Sequence, residues 1–176
     1  LVQIYWGNGK GKTTASLGLA LRALGRGFKV HLIQFMKGGI EGNDDFEEYG
    51  ELKSLLKFEN FSCKRFGLKK WVIGRPDAEH IAQGSAALEY AIEAARLGKY
   101  DLLIVDEILY AIQLGVISED DVLQLIDAKA KNTELILTGS HRPYDKIFAR
   151  ADLVTEVKKH RHPFDKGVQA RLGIEY

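Results

Sequence analysis

The run Gly7-Asn8-Gly9-Lys10-Gly11-Lys12-Thr13-Thr14 lies between a short apolar stretch, residues 1–6, and a helix-periodic one, residues 13–24. A buried strand that ends in glycines and passes at once into a helix curls its backbone so that N–H groups converge on an anion, with the positive end of the helix behind them. Lys12 adds a charge and Thr13 a hydroxyl that suits a magnesium ion, so a polyphosphate is the natural guest. The strict form of this pattern has Gly five positions before Gly11; here Trp6 stands there, which makes the loop a variant with a bulkier entrance. A turn that merely caps a helix is the plain alternative. It is disfavoured by a second motif, Leu102-Leu103-Ile104-Val105-Asp106-Glu107, an apolar strand ending in two carboxylates, which is what a metal-bound nucleotide needs opposite such a loop. Thr13, Asp106 and Glu107 are therefore the candidate metal ligands, and the sequence leaves open which acid binds directly.

Around these motifs the pattern alternates. Residues 29–36 read as a second buried strand, 78–97 as a long helix closed by Gly98, and 101–105 as the strand before the acids. Residues 119–130 form an amphipathic helix after the cap Ser118, 134–138 a strand, 144–151 a short helix and 152–157 a last strand. Strands and helices of these lengths in alternation predict an α/β fold, a doubly wound and mostly parallel sheet with helices on both faces, of the RecA-like P-loop type. At 176 residues and 45% apolar composition the chain suits a single domain over residues 1–176. About residues 37–76 the periodicity dissolves into glycines, charges and scattered aromatics, so an irregular insertion over one sheet edge is expected there, a place for a second substrate.

Composition excludes other classes. Twenty-five Lys and Arg against 24 Asp and Glu leave a formal charge of +1, which does not favour a nucleic-acid or acidic-membrane surface. The single cysteine, Cys63, rules out an internal disulfide and fits a reducing, cytoplasmic setting. No apolar run approaches the roughly 20 residues that span a bilayer. The chain opens on Leu1, and a further amino-terminal segment is expected. His160 and His162 alternate like metal ligands but lack a third partner, and Pro163 points to a turn. The basic residues Lys57, Lys64, Arg65, Lys69 and Lys70, interleaved with Phe58, Phe61 and Phe66, are read as a solvated loop, or one that meets a phosphate of the second substrate, rather than a single-strand nucleic-acid platform.

Loop and strand alone suit a kinase, an ATPase or a motor equally well. Further residues resolve the choice, because the sequence resembles the P-loop corrinoid adenosyltransferases from end to end. The resemblance is carried by Val2-Gln3-Ile4-Tyr5, the loop, Leu17-Gly18-Leu19-Ala20-Leu21-Arg22-Ala23, Gln34-Phe35-Met36-Lys37-Gly38 and Val105-Asp106-Glu107-Ile108-Leu109-Tyr110-Ala111. It continues in Leu137-Thr138-Gly139, Ala151-Asp152-Leu153-Val154-Thr155-Glu156, His162-Pro163-Phe164, Gly167 and Gly173-Ile174-Glu175-Tyr176. The chain departs from that family at Ser140-His141-Arg142, where an arginine usually follows the glycine directly, and it matches least in the middle.

The resemblance implies transfer of the 5′-deoxyadenosyl group of ATP to the cobalt of a reduced corrinoid such as cob(I)alamin, with tripolyphosphate leaving. It implies ATP as co-substrate, Mg2+ or Mn2+, an electron-donating flavoprotein and a homodimer. It casts Lys12, Thr13 and Glu107 in catalytic roles and offers Phe66 and Trp71 as the aromatics that displace the lower axial ligand of cobalt(II). A P-loop ATPase or kinase that cleaves the γ-phosphate is the alternative activity.

Overall fold

The structure is a computed structural model, described for residues 1–39, 49–70 and 72–175. Its centre is a six-stranded, all-parallel sheet in the order β3-β2-β4-β5-β1-β6. The strands are β1 Val2–Trp6, β2 Val30–Gln34, β3 Phe61–Arg65, β4 Leu102–Asp106, β5 Glu134–Thr138 and β6 Leu153–Glu156. The helices are α1 Lys12–Leu24, α2 Gly50–Leu55, α3 Ala78–Leu97, α4 Ile108–Gln113, α5 Glu119–Ala128 and α6 Asp145–Phe148.

Successive strand residues point to opposite faces, and the two faces collect different helices. On one side Leu102, Ile104, Val30, Leu32 and Ile136 pack with Leu17, Ala20 and Leu24 of α1 and Leu52 and Leu55 of α2. On the other, Leu103, Val105, Ile33, Ile4 and Leu137 pack under α3, α4, α5 and Ile147 of α6. Both faces of β4 are thus dry, which is why it reads as an unbroken apolar run. The face toward α3 is lined by Ala87, Ala91, Ala94 and Ala95, small residues that bring that helix close to the sheet.

Two parts differ from the sequence expectation. The stretch expected to be irregular contains α2 and the edge strand β3, which pairs with β2 from Val30↔Phe61 to Gln34↔Arg65. A six-residue helix, α4, begins straight after the acids. β6 pairs with β1 alone and is exposed along its whole length. No helix among the described residues is long and apolar enough to cross a membrane.

Candidate functional site

Strand order builds the site. β5 lies between β1, which feeds the glycine loop, and β4, which ends in the acids, so all three strand ends open on the same edge. That is the ligand crevice of a doubly wound sheet, at the carboxyl ends of its strands.

The loop is wedged against the segment after β6. A Cβ on Gly7 would come within 2.4 Å of Val157 O and one on Gly9 within 2.8 Å of the same oxygen, so any side chain at either place would push the loop off its support. In return Gly9 N–H donates to Val157 O at 2.7 Å, Gly7 N–H to Ser140 O at 3.1 Å, and Asn8 Oδ1 accepts from Lys159 N–H at 2.9 Å. Gly11 precedes α1 at φ 120°, and Ala15 N–H closes the first helical turn onto its carbonyl, so the N–H groups of that turn face the crevice. Trp6 does not crowd the entrance. Its ring leans on Phe148 with centroids 5.3 Å apart, packed against the core.

Lys12 curls back over the loop, its ammonium donating to Gly7 O at 2.7 Å and Gly9 O at 2.9 Å. Burial lowers its pKa, with Glu107 and Asp106 opposing. Across from it, Asp106 is fully buried and accepts from three donors among the described residues: Thr13 Oγ1 reaches Oδ1 at 2.8 Å, Thr138 Oγ1 the same oxygen at 2.6 Å, and Gln34 Nε2 reaches Oδ2 at 3.1 Å, which leaves a lone pair of Oδ2 open. The hydroxyl and the acid that the sequence singled out are therefore in direct contact, with β5 supplying the bridging Thr138.

Glu107 takes a left-handed backbone (φ 62°) as the residue that starts α4, its N–H donating to Thr138 Oγ1 at 3.0 Å. Burial raises the pKa of its carboxyl and Asp106 raises it further, against Lys37 and Lys12. Burial tends to lower Lys37, but Glu107 and Asp106 outweigh it and hold its ammonium above the usual lysine value.

Two cavities meet here. The larger, about 790 Å³, is lined by Lys10, Gly11, Lys12, Thr13 and Thr14 of the loop, by Glu51 and Ser54 of α2, and by Gly173, Ile174 and Glu175. The smaller, about 150 Å³ and mostly apolar, is lined by Met36, Phe66, Leu68, Val72, Tyr110 and Val116 among others. Lys37, Tyr49 and Glu107 line both and form the wall between them. Phe66 is thus brought beside the site, its ring tilted on Tyr90 at 5.6 Å. Trp71 lies outside the described residues.

Sequence reasoning did not assign Lys37 to the site. It stands three residues beyond Gln34, and the β2–β4 register that pairs Gln34 with Asp106 is what brings it there. Arg142 turns to the Tyr144 hydroxyl, its Nε donating at 3.3 Å. Phe61 is buried, Phe66 faces the cavity, and Lys70 pairs with Asp77 at 2.9 Å and Glu79 at 2.8 Å. His162 caps a 3-10 turn, Nδ1 accepting from Phe164 N–H at 3.2 Å, and no group of three or more metal-ligating side chains occurs among the described residues. Cys63 is a core thiol that burial pushes up to about 11.

Comparison with known proteins agrees with the geometry. Residues 1–176 match the sequence model of the family described as ATP:corrinoid adenosyltransferase BtuR/CobO/CobP. The corrinoid adenosyltransferase of Escherichia coli (strain K12) is 30% identical over 182 residues, covering 100% of this chain and 85% of its own length. The corrinoid adenosyltransferase CobA of Salmonella typhimurium is 29% identical over 178 residues, again 100% of this chain and 85% of its own. An uncharacterized protein of Nostoc is 29% identical over 182 residues, 99% of this chain, which spans only 48% of that protein.

Proposed function

Since the chain belongs to the ATP:corrinoid adenosyltransferase family, we propose that it transfers the 5′-deoxyadenosyl group of ATP to the cobalt of a cob(I)alamin-type corrinoid and releases tripolyphosphate. The observation that carries this reading is the pair of adjoining cavities, one cradled by the glycine loop and acids, the other apolar and holding Phe66, with a shared wall.

The cobalt(I) electron pair forms the cobalt–C5′ bond, the C5′–O bond breaks, and its electrons stay on the tripolyphosphate. No proton moves, so no general base is needed, and the nearness of a base to the reacting carbon is not a requirement. What the site must supply is stabilisation of a heavily charged leaving group. The N–H groups of the loop and the first turn of α1 orient the phosphate chain. Lys12 leaves the carbonyls of Gly7 and Gly9 to meet phosphate oxygens, exchanging neutral acceptors for anionic ones. Thr13 Oγ1, Asp106 and Glu107 are all hard oxygen donors, the set that suits Mg2+ and the residues that would hold it. A magnesium ion held there would draw charge off the phosphate chain as it leaves. Phe66 would crowd the lower face of a cobalt(II) corrinoid and favour loss of its axial ligand. Segment 37–76 would receive the corrinoid, and a homodimer and a flavoprotein electron donor belong to the same reading.

The experiment is an anaerobic assay with ATP, magnesium and chemically reduced cob(I)alamin, following the cobalt absorbance and identifying the phosphate product. The expected outcome is light-sensitive adenosylcobalamin with tripolyphosphate, reduced by about 100-fold or more in Lys12→Ala. In a second arm that begins from cobalt(II) with reductant, Phe66→Ala is expected to fail while it still works on cobalt(I). ADP without any change at cobalt would mean that the enzyme cleaves the γ-phosphate instead.

A further inference from the structure

On the reading of the two cavities given above, we propose that Lys37 is a second catalytic cation of the site, one that touches the tripolyphosphate oxygen on which charge develops as the C5′–O bond breaks.

Its placement is built into the backbone. Lys37 follows β2, and its N–H donates to Phe66 O at 2.9 Å where the chain beyond β2 runs alongside the chain beyond β3. The two strands of backbone are locked there by Gly67, at φ 131°, where a Cβ would lie 2.7 Å from the Met36 Cα; Met36 itself is held at φ 55°. A non-glycine residue in the left-handed region costs energy, and it persists where the surroundings over-determine it, a mark of functional segments. The consequence is a long side chain with a fixed origin that projects along the wall between the cavities.

At that wall its ammonium stands 5.3 Å from the centroid of the Tyr49 ring, with Glu107 as its other companion on both cavities. The scissile bond joins the phosphate chain to the adenosyl group, so the oxygen that takes up the electrons lies at the boundary between the polar cavity and the group being presented to cobalt. Of the lysines that line the polar cavity, Lys10 is held by Ile174 O and Glu175, each at 3.0 Å, and Lys12 sits over the glycine loop, on the carbonyls of Gly7 and Gly9. Lys37 is the lysine on the boundary. The C5′–O electron pair passes to that oxygen, and an ammonium beside it is worth more in the transition state than in bound ATP, where the same oxygen is an uncharged bridge.

Differential binding gives the test. Lys37→Met and Lys37→Arg are compared with the wild type for kcat and KM of ATP on chemically reduced cob(I)alamin, and for the Kd of Mg-ATP and of Mg-tripolyphosphate by calorimetry. Lys37→Met is expected to lose about 100-fold in kcat with KM for ATP changed less than about 3-fold. Its affinity for tripolyphosphate is expected to fall about 10-fold more than that for ATP, and Lys37→Arg to recover much of both. Unchanged kcat, or equal weakening toward ATP and tripolyphosphate, would overturn the assignment. If the wild type makes no adenosylcorrinoid, the reading of the reaction fails, while the ratio of the two affinities in Lys37→Met against wild type still decides whether Lys37 meets the freed phosphate chain. Thermal melting of both variants separates a lost contact from a lost fold.

Discussion

At the scale of single residues, a chain of ring contacts runs from Phe66 at the cavity into the core at His31. The ring is buried in β2, with Nδ1 2.7 Å from Ser62 Oγ and Nε2 3.1 Å from the Tyr90 hydroxyl, and it stacks on Tyr100 at 4.6 Å. Tyr90 in turn leans on Phe66. Burial, with help from Lys99, lowers the His31 pKa from 6.5 to about 4, so the folded protein keeps the ring neutral where the unfolded chain would protonate it. The unfolded state then binds more protons between pH 6.5 and 4, and stability falls as pH drops through that window. The expected loss is on the order of 2 kcal/mol between pH 7 and 4.5, read from urea unfolding midpoints at each pH. His31→Gln, which cannot titrate there, should show a shallower profile than the wild type; parallel profiles would show that other groups govern acid stability.

At the scale of elements, α5 gives a clean measure of how local signals set boundaries. Ser118 Oγ accepts from Asp121 N–H at 3.2 Å, and Asp121 Oδ2 accepts from Ser118 N–H at 2.8 Å, a reciprocal cap remote from both cavities. Ser118→Ala is expected to lower stability by about 1 kcal/mol with kcat unaltered, as judged by chemical denaturation beside the adenosylation assay. Such a cap is legible in sequence because each partner lies within four residues of the other. So were α1 and α3, whose apolar spacing repeats over several turns, and β4, with five buried residues in a row. By contrast α4 begins with a left-handed Glu107 whose side chain makes no cap bond, and its six residues are too few for a period to stand out. β3 hides in plain view: Phe61 is buried but Lys64 and Arg65 give the strand a surface look, since only one of its edges is paired. Lys37 was invisible for a different reason. It lies in the run Gln34 to Gly38 that carries part of the resemblance, but that run has no chemical signature of its own, and only strand register brings Lys37 to Glu107, so its place is a tertiary fact that a linear reading cannot supply.

At the scale of the whole molecule, the sheet order β4-β5-β1 gathers Lys12, Thr13, Asp106 and Thr138 in one crevice, across sequence separations of 93 residues from Thr13 to Asp106 and a further 32 to Thr138. Because so many elements meet there, ligand binding should be felt as global stability rather than as local order. Mg-ATP or Mg-tripolyphosphate at about 100 times its Kd is expected to stabilise the fold by about 2.7 kcal/mol, visible as a raised Tm, and to do so far less in Lys12→Ala at the same concentrations. A Tm that ignores both ligands would mean that the loop does not bind polyphosphate in the folded chain. The support of that loop has a bearing on synthesis as well. Gly9 leans on Val157 and Lys10 on Glu175, partners that leave the ribosome some 150 residues after the loop itself. A nascent chain therefore carries the glycine loop through about 150 further residues of synthesis without the wall that shapes it, and a ligand of that loop can reward only a chain already extended past Val157 and Glu175.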